Sequence, residues 1–122
     1  NDPPLAEATG DPIYRPLEEI LPQAAIVTLH VPLTDDRPHP TRKLADARFF
    51  NRLKPGTLLV SACRGEVVDE TALRAALART DTAGLYFAGE ALNALYPGTV
   101  HGALLSGRQA ARQMMKDTRN HD

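Results

Sequence analysis

The 122-residue sequence has no tryptophan, one cysteine and two methionines, and only 5% of it is aromatic. A single thiol, Cys63, excludes an internal disulfide and fits a reducing compartment, so the cytoplasm is the expected location. No apolar run is long enough to span a bilayer, and Asn1-Asp2-Pro3-Pro4 has neither the basic nor the apolar region of a signal peptide. Neither sign of charge prevails, because the net charge is −1 and Lys and Arg are dispersed. A polyanion, nucleic acid or membrane surface is therefore not an expected partner. Repeats and low-complexity tracts are also missing. Proline, by contrast, is plentiful: ten residues, most of them at or before Pro55, imply a first half with several fixed turns. With 43% hydrophobic residues the chain can build one adequate core.

The most informative stretch runs from Lys54 to Glu70. Pro55-Gly56 is a turn dipeptide, and Thr57 to Ser61 is a short apolar run with β-branched members, the length and chemistry of a buried strand. Asp69 is placed as an N-cap for a helix over Glu70 to Arg79, which is rich in Ala, Leu and Arg. In an open α/β sheet, ligands lie beyond the carboxyl ends of the strands, which is where Ala62, Cys63 and Arg64 stand. The Arg64 guanidinium suits a carboxylate or phosphate; as a surface residue it would pair with Glu66 or Glu70.

Upstream, Asp2-Pro3-Pro4 reads as the exit from an element or as a disordered start, and Leu5 to Tyr14, without a sustained period, as loop. Pro16 to Gln23 is expected to form two turns of helix, and Ala25 to Leu29 a second buried strand ending in His30-Val31-Pro32-Leu33. Taken alone, His30 reads as a packed or solvated loop histidine. Thr34 to Lys43 is polar and proline-rich, hence a surface loop, and Asp46 to Leu53 follows as helix. The alternation predicts a parallel sheet with right-handed crossovers.

The run LKPGTLLVSACRGEVVDETALRAAL, with Leu29-His30-Val31-Pro32-Leu33, His39-Pro40-Thr41 and Asp2-Pro3-Pro4, resembles the D-isomer-specific 2-hydroxyacid dehydrogenases. The likeness covers about the first two thirds of the chain and is greatest to the branch of that family that serves vitamin B6 synthesis. It implies NAD as cofactor and a small anionic hydroxy acid as substrate. Asp2 would end the second Rossmann strand and accept the adenosine ribose hydroxyls. Val31 would make the closest contact with the nicotinamide half, where most members carry Thr. Ala62, Cys63 and Arg64 would face cofactor and acid, with Arg64 the catalytic candidate.

The resemblance also implies an Asp, a Glu and an acid/base His further on. By the family's spacing these positions fall near Ala88, Asn93 and Ala110, so a positioned proton carrier is missing and full turnover is not expected of this chain alone. Neither a G-x-G-x-x-G fingerprint for NAD nor one for FAD occurs. Thr80 to Gly84 reads as a break. After it, Leu85 to Glu90 and Tyr96 to Ala111 resemble the C-terminal FAD motif of the flavin amine oxidases, a strand and then a Pro-Gly turn into a helix. That resemblance implies Glu90, Thr99 and Val100 as flavin contacts; plain helix packing by Leu104, Leu105 and Ala111 is the alternative.

The expected architecture is α/β, a partial Rossmann-like parallel sheet. Its strands are placed at Ala25–Leu29, Thr57–Ser61 and Gly84–Ala88, and its helices at Pro16–Gln23, Asp46–Leu53, Glu70–Arg79 and Val100–Lys116. Residues 1–79 and 80–122 would be its two segments. Three functions are compatible with this: an incomplete NAD-dependent oxidoreductase domain, an FAD-binding remnant, or a self-associating module without small-molecule chemistry. No metal site is expected.

Overall fold

The computed structural model describes residues 2–79, 85–89 and 100–119. The chain opens with a helix, α1 (Pro3–Thr9), where loop was expected. Asp2, in extended backbone conformation, is its N-cap: the carboxylate accepts the Leu5 N–H at 3.1 Å. Pro3 and Pro4 occupy the first turn, in which no backbone donor is needed. Gly10 ends the helix at φ +64°, a left-handed conformation suited to glycine, and donates to Ala6 O. No residue of α1 is buried, which is why hydrophobic period does not reveal it; its signals lie in the caps. Pro16 caps a single turn, α2 (Leu17–Ile20), shorter than the two turns expected.

Three strands, β1 (Ile26–Leu29), β2 (Leu58–Ser61) and β3 (Tyr86–Gly89), form one parallel sheet in the order β1-β2-β3. Ile26 pairs with Leu58 and Leu58 with Tyr86, so the three strands start level. The later segment thus shares a sheet with the earlier one. Val27, Leu29, Leu59 and Phe87 enter a common core with Leu21, Phe49, Phe50, Val67 and Leu73. Alternate residues along β1, Ile26 and Thr28, stay exposed, the period-two pattern of a strand covered on one side. Thr57, fully buried just before β2, donates its hydroxyl to Ala24 O and Lys54 O, which satisfies it and locks the Pro55-Gly56 turn, where Gly56 sits at φ +83°.

Helix α3 (Ala47–Arg52) begins at Asp46, whose side chain accepts the Phe49 N–H at 2.9 Å. Phe49 and Phe50 bring their rings edge to face at 5.6 Å inside the core. Helix α4 (Glu70–Ala78) begins at Asp69 in the same way, and Lys43 places its ammonium 3.1 Å from the other oxygen of that carboxylate. A long helix, α5 (Val100–Arg119), packs on β3. The Ser106 hydroxyl donates to Gly89 O and accepts the Gly89 N–H, both at 2.9 Å, and Tyr86 donates to Asp117 at 2.8 Å. Among the described residues no helix is long and apolar enough to cross a membrane.

Candidate functional site at the carboxyl ends of the strands

Parallel pairing brings the tips of β1 and β2 side by side: the Ala62 N–H donates to Leu29 O at 3.0 Å. Beyond β2 the chain turns through a short 3-10 helix (Gly65–Val67) with Arg64 at its start. The Arg64 side chain is 72% exposed, and its Nε lies 3.8 Å from a Glu66 carboxylate oxygen. So wet and long a pair contributes little to stability, which leaves the guanidinium free to exchange Glu66 for another anion.

Cys63 does not present its thiol at the tip. It is buried, with Sγ 3.3 Å from the Ser61 hydroxyl. Beside it is a cavity of about 110 Å³ bounded by Ser61, Gly65, Phe87, Gly89 and Arg74 of α4. The Cys63–Gly65 corner is therefore hollow, but Ala62 and Arg64, both exposed, do not line that hollow.

A larger groove of about 470 Å³ lies beyond β1, and the two residues expected at opposite ends of a dinucleotide, Asp2 and Val31, both line it. Five prolines stand in its walls, Pro3 and Pro4 from α1 and Pro32, Pro38 and Pro40 from the β1 tip and the loop that follows. Proline offers a flat, stiff, apolar surface with no donor. Asp2 contributes the one carboxylate of this lining, held by its cap bond to Leu5, and Arg37 contributes a guanidinium. His30 lies outside this groove, on a separate trough along β1 that also reaches Asp2 and Val31.

The loop from Thr34 to Thr41 forms one wall, a role that sequence reasoning missed when it took the segment for plain surface. Its two ends are closed by the Thr41 N–H on Thr34 O at 2.9 Å and by Arg42, which donates through Nε and Nη2 to the two oxygens of Asp35. The Arg42 hydrogen bond holds the Asp35 carboxyl below its ordinary range, and Asp35 in turn raises the Arg42 guanidinium. His39 reaches from this loop to Glu7 of α1 at 3.1 Å, so the groove is bridged by one side-chain contact. The paired threonines flanking a proline tract were the available signal.

Glu90 and Thr99 lie outside the described residues, and of Val100 only the backbone, at the start of α5, is described. The bonds from Ser106 to Gly89 show α5 packed on β3, but not by the expected stripe: Ser106 and Ala110 are buried, whereas Leu104, 57% exposed, and Ala111 face solvent and Leu105 is half-buried.

A profile of the D-isomer specific 2-hydroxyacid dehydrogenase NAD binding domain matches residues 2–90. The match runs through the break at residues 80–84 and takes in Glu90, which gives the flavin reading no support. The erythronate-4-phosphate dehydrogenase of Citrobacter koseri is 49% identical over 76 residues, 62% of this chain and 20% of that protein. The chain thus spans about a fifth of the length of the curated relatives it matches. Among solved structures, apo D-mandelate dehydrogenase of Rhodotorula graminis superposes with a TM-score of 0.54 at 30% identity, covering 74% of this chain and 24% of that one. A D-isomer specific 2-hydroxyacid dehydrogenase of Xanthobacter autotrophicus, in complex with NADPH and MES, has a TM-score of 0.51 at 32% identity, covering 69% of this chain and 25% of that one. On these grounds the chain belongs to the D-isomer specific 2-hydroxyacid dehydrogenases, with residues 2–90 matching their NAD binding domain.

Proposed function

We propose that this chain forms part of the cofactor site of an NAD-dependent dehydrogenase acting on a small phosphorylated 2-hydroxy acid of the erythronate 4-phosphate type. The observation that carries the reading is the meeting of Asp2 and Val31 on one proline-walled groove, within a family match that covers both. In this reading the Asp2 carboxylate accepts the ribose hydroxyls of the adenosine half, the proline faces hold the flat base, and Val31 packs against the nicotinamide half. Val31 offers shape without a hydroxyl, so polar contacts there come from backbone groups.

Arg64, exposed at the β2 tip, takes the substrate carboxylate in exchange for Glu66. The reaction moves a hydride from the carbinol carbon to the nicotinamide ring while the hydroxyl proton leaves to a base, giving a 2-oxo acid and the reduced cofactor. Nothing at the family's positions in this chain, Ala88, Asn93 and Ala110, can take that proton, so the chain binds without completing turnover. Titration with NADH, followed by its fluorescence, tests the cofactor half: saturable binding is expected, and none at millimolar cofactor removes the reading. With NADH bound, a 2-oxo acid should bind in turn, and Arg64→Gln should weaken that second event about tenfold or more while leaving NADH affinity unchanged, the loss of one charge-assisted carboxylate contact.

A further inference from the structure

The segment from His30 to Leu33 leaves β1 without entering helix or sheet, yet it supplies the Val31 and Pro32 wall of the groove. Pro32 has no N–H to anchor it, and apolar packing of Val31 and Leu33 on the core sets its depth but not its direction. A single hydroxyl supplies the direction. Thr41 Oγ1 donates to Pro32 O at 2.5 Å and accepts the Thr34 N–H at 2.9 Å, with the Thr34 hydroxyl 3.3 Å away. The Thr41 N–H closes the same junction by donating to Thr34 O at 2.9 Å. One side chain, nine residues downstream of Pro32, thus clamps the tip on both sides while itself lining the groove.

We infer that Thr41 is a positioning residue for the cofactor: its hydroxyl holds the Val31-Pro32 tip in the geometry that receives the dinucleotide. The inference rests on the groove being the cofactor site. The bond is made to the wall and not to the ligand, so Thr41 acts through Pro32 and Thr34. Valine keeps the branched shape of threonine and removes the hydroxyl, which leaves the Pro32 carbonyl and the Thr34 N–H without this partner. Serine keeps both bonds and removes only a methyl group.

The test compares NADH affinity of the 122-residue chain with that of Thr41→Val and Thr41→Ser, each at a temperature well below its melting point. The loss of one to two neutral hydrogen bonds from the wall predicts binding about five- to thirtyfold weaker in Thr41→Val, with Thr41→Ser restored to within about twofold of the parent. Saturable binding by the parent together with equal affinity in Thr41→Val would overturn the positioning role and leave the groove reading intact. Absence of binding by the parent would remove both. If Thr41→Val does not fold, amide exchange in the parent decides: saturating NADH should slow exchange of the Thr34 N–H, and exchange unchanged by bound NADH would overturn the inference.

Discussion

At the scale of single residues, Ser106 and Gly89 show how little is needed to finish a strand. The Ser106 hydroxyl meets both backbone groups of Gly89 in a buried setting. Ser106→Ala should therefore lower stability by about 1–3 kcal/mol in denaturant unfolding, the cost of leaving buried polar groups without partners. Gly89 itself is there for closeness: a Cβ at this position would stand 3.2 Å from Ser61 O and 3.4 Å from Ser61 Cβ. Backbone cannot retreat as a flexible side chain can, so Gly89→Ala should destabilise as well. Asp69 carries a second kind of dependence. Its carboxyl is held below the ordinary range first by the Ala72 N–H and then by Lys43. The stabilisation is present above the ordinary carboxylate range and is lost as pH falls through the lowered value, so acid unfolding of Asp69→Asn should have a shallower slope below about pH 4.

At the scale of elements, the ends of helices matter more than their middles. Helix α1 buries nothing and exists through Asp2, its prolines and Gly10. Gly10→Ala forces a side chain into φ +64° in open space, at a cost of about 1–2 kcal/mol set against the helix. The expected result is loss of α1 signal by amide exchange before any loss from the sheet. Helix α5 is tied to β3 by Tyr86 and Asp117. Burial, then the Asp117 hydrogen bond, raises the Tyr86 hydroxyl above its ordinary value. The folded state thus keeps its proton longer than the unfolded chain, and this contribution, intact below about pH 10, fades as pH rises through the raised value. An alkaline melting series should show the effect in the parent and not in Tyr86→Phe. These particulars also explain what could be read in advance. The β-branched, apolar runs before Ala62 and His30 announce strands within one residue of where they lie, and Asp46 and Asp69 announce their helices. The groove was not legible, because its wall depends on bonds between residues seven and nine apart through a loop with no period, Thr34 to Thr41 and Pro32 to Thr41. Helix α1 was hidden for a related reason: hydrophobic spacing sees only what is buried.

At the scale of the whole molecule, one sheet unites the earlier and later parts of the chain. β3 lies in register on β2, and Phe87 joins the core that holds Leu59. A single cooperative unfolding transition is expected for the sheet, with calorimetric and van't Hoff enthalpies equal. The two rims of the sheet differ. Beside β1, Ile26 is 62% exposed and no described strand pairs on its far side, whereas α5 covers the end of β3. Exposed strand rims invite pairing. Concentration-dependent association is therefore expected in sedimentation, and Ile26→Lys should reduce it.

The hydroxyl that Ser106 sets against Gly89 has a further effect on how copies could add to one another. A filament needs two sticky rims on every subunit, and here the Gly89 end of one of them is already occupied by a side chain that imitates a neighbour. Strand addition at that end of β3 would first have to displace the serine, a barrier that the open side of β1 does not raise.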